Sequence, residues 1–223
     1  MLFSNRFGFL FVHIAKTGGT SIRDALARTM WRDPWYYMQW PCRRLDHLSG
    51  HRIAAKLPRH CRAIAAQEVL PRDIYNSFFK FTVVRNPWDW QVSCYHHLLR
   101  EKPELLSGHE SFSAYLRWKL EPGRPYTTNL DTTLRPQMEH LTNLQGQMIV
   151  DHIARFESLQ QDFDDICERL KLPRVELPHH RKSERSRDYR QYYDDELAEA
   201  VATMYKKDVD AFGYRFDSPE AVA

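Results

Sequence analysis

The segment from Phe7 to Ser21 constrains the fold more than any other stretch of the chain. Phe7 to Ile14 (FGFLFVHI) is a short, bulky apolar run, and it leads into the turn Ala15-Lys16-Thr17-Gly18-Gly19. Such a run reads as a buried strand. Thr20 or Ser21 then caps a helix to Met30, with Ile22, Ala25, Leu26 and Thr29 on one face. A strand–turn–helix of this form aims successive backbone N–H groups and the positive helix end at one spot, which suits an anion. Gly18 and Gly19 permit the sharp turn and close backbone approach. Lys16 adds a mobile charge, and Thr17, Thr20 and Ser21 add hydroxyl donors. The plainer alternative is a strand–helix turn with a surface lysine; two glycines among so many donors weigh against it. The lysine precedes the glycines, so the spacing is not the GxxxxGK[ST] of nucleotide triphosphatases. Phosphate binding stays open.

A second segment follows the same logic. Phe79 to Val84 (FKFTVV) is β-rich and runs into Arg85-Asn86-Pro87, where a helix begins and extends to about Arg100. Arg85 falls at the strand's end, where open α/β sheets place their ligands. Ser93 follows about two helical turns later. Arg85 can grip a phosphate bidentately and Ser93 can donate to another oxygen. Taken alone, the pair also reads as a salt-bridged arginine and a helix-surface serine. Together the two segments supply two anion sites at the carboxyl ends of strands, as a nucleotide with two separated anionic groups requires.

The remaining chain is read as an aromatic covering loop (Trp31 to Pro41), helices over His47 to Leu57 and Ala63 to Phe78 (broken at Pro71), and a short helix at Ser111 to Leu120. A strand at Met148 to Phe156, a helix at Glu157 to Leu170, a basic loop at His179 to Arg190 and one final helix, Asp194 to Phe212, follow. Strands separated by helices predict an α/β fold, a P-loop-like single domain over 1–223 with a central parallel sheet flanked by helices. With 223 residues, 43% hydrophobic and 13% aromatic, the chain has material for a real core and is not a disordered one. Lys plus Arg number 32 against 29 Asp plus Glu, a balance that argues against a dedicated nucleic-acid binder. Cys42, Cys61, Cys94 and Cys167 show no CxxC pairing and read as free thiols. No apolar run reaches membrane length, and Met1 to Arg6 lack a signal-peptide pattern, so the expectation is a soluble, cytoplasmic protein. His and Cys never fall at metal-ligand spacing with a plausible third partner, so no metal is expected.

These residues carry a family resemblance. Phe11-Val12-His13-Ile14-Ala15-Lys16-Thr17-Gly18-Gly19-Thr20-Ser21 resembles the 5′-phosphosulfate loop of sulfotransferases, in the form used by carbohydrate sulfotransferases and their bacterial relatives. Phe79 to Asp89, with Ser93, resembles their 3′-phosphate segment. Arg155-Phe156-Glu157-Ser158-Leu159 and the tail from Tyr192 through Phe212-Gly213-Tyr214 are similar to later blocks of the family, so the likeness runs from about Phe9 to Phe216. It implies a donor, 3′-phosphoadenosine 5′-phosphosulfate (PAPS), and a hydroxyl-bearing acceptor, a carbohydrate or small metabolite. By the same resemblance Lys16, Thr17, Gly18, Gly19, Thr20 and Ser21 hold the 5′-phosphosulfate, and Arg85 and Ser93 the 3′-phosphate. Arg181-Lys182-Ser183 resembles a further donor-contacting stretch, which adds Lys182 and Ser183. Two departures stand out: Ala15 where many relatives have Pro, and Trp90 where relatives often have Arg.

Sulfuryl transfer needs in-line geometry and stabilisation of negative charge on the leaving phosphate, a role that suits Lys16. An acceptor hydroxyl also needs a base within hydrogen-bond reach. His60 is the first candidate, because in relatives a His often precedes the helix leading to the Phe79-Lys80-Phe81 strand. Glu68 is the second, since some carbohydrate sulfotransferases use Glu in this region; His51 and His47 follow. His13 reads as a packing residue at the strand's end. Two other readings stay open: a P-loop-like kinase, for which a Walker lysine and a magnesium carboxylate are wanting, and a catalytically inactive nucleotide-binding protein.

Overall fold

Among the described residues, four short strands, Leu2–Ser4, Phe9–Val12, Phe79–Val84 and His152–Arg155, form one sheet and neighbour one another in that order. The structure is a computed structural model and describes residues 1–30, 33, 57–178 and 188–217. In chain order these form β1 (Leu2–Ser4), β2 (Phe9–Val12), α1 (Gly19–Met30), α2 (Ala63–Val69), α3 (Arg72–Ser77), β3 (Phe79–Val84) and α4 (Pro87–Glu101). There follow α5 (Phe112–Leu120), α6 (Thr128–Asp131), β4 (His152–Arg155), α7 (Leu159–Arg169), α8 (Asp195–Met204) and α9 (Lys206–Phe212). The parallel core of the sheet is β2-β3-β4, with Phe9 opposite Phe79 and Phe81 opposite His152. β1 adds an antiparallel edge on β2, which the sequence reading did not anticipate. The chain gathers into two compact units.

The first unit takes Met1–Ile14, Gly18–Val84 and Glu139–His180 and contains the sheet. Strand periodicity sends Phe9, Phe11, Phe81 and Val83 to one face, where Ile22, Ala25 and Leu26 of α1 and Phe163 and Ile166 of α7 cover them. Leu10 points to the other face and packs with Ala66, Leu70 and Tyr75 of the α2–α3 region. Burying each such large apolar side chain contributes about 1.5–3 kcal/mol, so helices on both faces are what keep so short a sheet together. The expected break at Pro71 separates α2 from α3. The strand expected over Met148 to Phe156 is shorter, His152–Arg155. Its first residues are drawn off into a local hairpin, where Met148 bridges to Thr142 and the Asn143 side chain accepts from the Gln145 and Gln147 amides.

The second unit takes Ala15–Thr17, Arg85–Met138 and Arg181–Ala223. α4 starts where the sequence says it should: Pro87 occupies its first turn and the Asn86 side chain caps Trp88 N–H at 3.1 Å. It packs on α5 and α8, with Trp90, Tyr115 and Tyr205 fully buried. The single helix expected from Asp194 to Phe212 is two, α8 and α9, interrupted at Tyr205 (φ −105°, ψ 26°). Tyr205 sets its ring edge-on to Trp90, and its hydroxyl donates to the Thr133 carbonyl at 3.1 Å. That buried anchor outweighs helix continuity. Lys119 is also fully buried, donating to Gln91 Oε1 at 2.7 Å and Thr133 Oγ1 at 2.8 Å, and burial brings its pKa down to about 8.

No helix among the described residues is long and apolar enough to cross a membrane. The expected aromatic loop (apart from Asp33), the helix over His47 to Leu57 (apart from Leu57) and the basic loop over His179 to Arg190 (apart from its last three residues) lie outside the described residues.

Candidate functional site

The turn between β2 and α1 alternates backbone handedness. Lys16 has φ 66° and Gly18 has φ 81°, so two left-handed residues flank Thr17. Alternation of this kind turns neighbouring amides toward a common concavity, the geometry of an anion nest. For a lysine it costs about 1–2 kcal/mol, so the surroundings must hold it there. The glycines are fixed by packing as well. A Cβ on Gly18 would stand 2.7 Å from Leu159 Cδ2 and 3.0 Å from the Phe156 ring, and one on Gly19 would collide with the His13 ring. Thr17 is fully buried, whereas Lys16 and Thr20 are half-buried. Ser21 closes the turn, its N–H donating to Gly18 O at 3.0 Å and its hydroxyl to Pro178 O at 2.8 Å.

Behind Gly19 stand two histidines. His13 is buried, stacked on Phe11 (5.5 Å, 17°) and met edge-on by His60 (4.6 Å, 64°). Desolvation, with a smaller contribution from His60, drives its pKa down to about 2, so it stays neutral. His60 Nδ1 lies 3.0 Å from the His13 carbonyl. A carbonyl can only accept, so Nδ1 carries the proton and Nε2 keeps its lone pair. Burial also lowers the His60 pKa, although the bond to the His13 carbonyl works the other way.

The turn after β3 is polar throughout. Arg85 is buried; its Nε and Nη2 pair with Asp89 Oδ2 at 2.7 and 2.6 Å, and its Nη1 donates to Lys16 O at 3.0 Å. The Arg85 backbone is held in turn by the Gln137 side chain. Arg85 N–H donates to Gln137 Oε1 at 2.9 Å, and Gln137 Nε2 donates to Arg85 O at 2.7 Å. Asp208 of α9, fully buried, accepts from the Gln137 and Met138 amides at 2.7 Å each. A relay of charge-assisted and neutral hydrogen bonds thus leads from α9 to the Lys16 carbonyl. Asn86 adds a tie to the Tyr189 hydroxyl at 3.1 Å.

The sequence candidates divide between the two units, and in the second unit two of them meet. Arg85 touches the Lys16 backbone directly, and Ser93, half-buried, sits one turn beyond Asp89 on the same side of α4. Gly18, Gly19 and Ser21 lie with His13 and His60 in the first unit. Glu68 is exposed on α2 and lines a polar cleft of about 650 Å³ with Arg72, Asn76, Asn143 and Gln145, and none of Lys16 to Ser21 lines that cleft. Lys182, Ser183, His47 and His51 lie outside the described residues. Sequence reasoning missed Asp89, Gln137 and Asp208. The i,i+4 spacing of Arg85 and Asp89 was a readable signal; nothing local marks Gln137 or Asp208. Among the described residues no three His, Cys, Asp or Glu side chains are grouped to hold a metal. A family model described as the Sulfotransferase family matches residues 1–215. No curated protein and no solved structure matches the chain.

Proposed function

Because the chain belongs to the sulfotransferase family, we propose that it moves the sulfuryl group of PAPS to an acceptor hydroxyl by in-line transfer. The observation that supports this most is the bond from Arg85 to the carbonyl of Lys16, which joins the candidate 3′-phosphate segment to the candidate 5′-phosphosulfate loop. One family match running through both compact units supports reading residues 1–223 as one functional domain. The acceptor is a carbohydrate or small metabolite, and the place of action is the cytoplasm; Cys61, Cys94 and Cys167 as free thiols fit a reducing compartment.

In this reading the turn from Lys16 to Ser21, left-handed at Lys16 and Gly18, cradles the 5′-phosphosulfate. Arg85 shares its guanidinium between Asp89 and the 3′-phosphate, and Ser93 donates from the next turn of α4. Lys182 and Ser183 add donor contacts. His60 takes the acceptor's proton on Nε2, the nitrogen left basic by its bond to His13. The acceptor oxygen bonds to sulfur as the bond to the 5′-phosphate oxygen breaks, and Lys16 stabilises the charge on the departing 3′-phosphoadenosine 5′-phosphate. Glu68 is the second candidate for the base; its exposed position on α2 makes His60 the better one.

Thermal titration with 3′-phosphoadenosine 5′-phosphate and with ATP tests the donor. Stabilisation by the bisphosphate well above that by ATP is expected, and equal or greater stabilisation by ATP would overturn the reading. Transfer of labelled sulfate from PAPS then separates an enzyme from an inactive binder. Lys16→Ala should lower turnover by about 100- to 1000-fold, with a smaller effect on affinity for the spent donor.

A further inference from the structure

We propose that Trp90 is a positioning residue that holds Lys16 in its working conformation. The inference rests on the role given above to Lys16. Trp90 lies on the first turns of α4, fully buried, and its indole N–H donates to the Ala15 carbonyl at 2.7 Å. Arg85 Nη1 donates to the next carbonyl, that of Lys16. Two consecutive peptide oxygens are therefore pinned from the same segment, Arg85 to Trp90.

Peptide planarity converts those bonds into an orientation. In a trans peptide the C=O and the following N–H point in opposite directions. Fixing the Ala15 oxygen toward Trp90 turns the Lys16 N–H away from it, and fixing the Lys16 oxygen toward Arg85 does the same for the Thr17 N–H. These are the amides at the start of the nest. The φ of 66° at Lys16 is one that a lysine avoids unless its flanking peptides are held. Trp90 is itself immobilised, its ring edge-on to Tyr205 at 5.6 Å, and Tyr205 is anchored to Thr133. Trp90 is thus a neutral, buried donor that packs against an aromatic ring and spends its one N–H on the loop.

The test is a binding cycle on the full chain with two probes, 3′-phosphoadenosine 5′-phosphate and adenosine 3′-phosphate, the second lacking the 5′ group. Trp90→Phe keeps an aromatic ring and removes the donor. It should weaken the bisphosphate roughly three- to tenfold, the share of one hydrogen bond, and leave the 3′-monophosphate unchanged. Lys16→Met should show the same selectivity, because it too acts on the 5′ end of the ligand. Equal loss for both probes, or no loss, in Trp90→Phe would overturn the proposal. Should Trp90→Phe unfold, the indole N–H resonance of the wild-type protein decides: it should shift with the bisphosphate and not with the 3′-monophosphate, and the same response to both would overturn it. A wild-type chain that binds no bisphosphate overturns the donor reading itself and this inference with it.

Discussion

The turn at Gly18-Gly19 and the turn at Arg85-Asn86 each leave a parallel strand and enter a helix, yet opposite kinds of contact hold them. The first is set by shape: the His13 ring, Phe156 and Leu159 press so closely on its backbone that no side chain fits. The second is set by polarity: Arg85, Asp89, Gln137 and Asp208 are all buried and tied by hydrogen bonds. A shape-defined turn should fail when volume is added, and a polarity-defined turn when a single donor or acceptor is removed at constant volume.

The largest expected effect on stability comes from the first. Gly18→Ala combines a left-handed backbone with a contact at 2.7 Å and should lower unfolding free energy by about 2–4 kcal/mol, measured by urea unfolding. A cost under about half of one kcal/mol would mean that Leu159 and Phe156 give way and shape is not what holds the turn. Asp208→Ala, which leaves the buried Gln137 amide and the half-buried Met138 amide without their acceptor, should cost about 2–3 kcal/mol. Gln137→Met, close in size but without the amide, should cost about 1–3 kcal/mol and weaken bisphosphate binding along with stability. If Gln137→Met is as stable as the parent, the polar relay is ornament.

The two turns should also part in their response to acid. His13 has a folded pKa far below its unfolded value, so on acidification the unfolded chain takes the proton first. The stability tied to its neutral form is complete above about pH 6.5 and is lost as pH falls, by about 1.4 kcal/mol per pH unit. His60, also lowered, adds to the loss just under pH 6.5. Urea midpoints between pH 6 and pH 5 should fall in the parent and fall less in His13→Gln. An unchanged slope in that variant would remove His13 from the account. The smallest effect is expected at Glu68→Gln: exposed on α2, it should shift stability by less than about 0.5 kcal/mol and sulfate transfer by less than about twofold. A large loss of transfer would restore Glu68 as the base.

Much of this was legible because it is local. Apolar runs, a glycine pair, Pro87 in a first turn and the residues Arg85 and Ser93 are written within short windows, and β3 and α4 lie where those windows put them. The sequence alone also carried the family likeness, since its most specific blocks are contiguous. What it did not contain is how far-apart residues meet. Asp208 reaching the Gln137 backbone, Gln137 pairing with the Arg85 peptide, Trp90 reaching Ala15 and Tyr205 breaking the last helix all join residues distant in the chain. Backbone propensity is summed over neighbours and so can be read along a line; a buried donor chooses its acceptor only after packing has brought the two within hydrogen-bond reach, and that choice belongs to the tertiary structure.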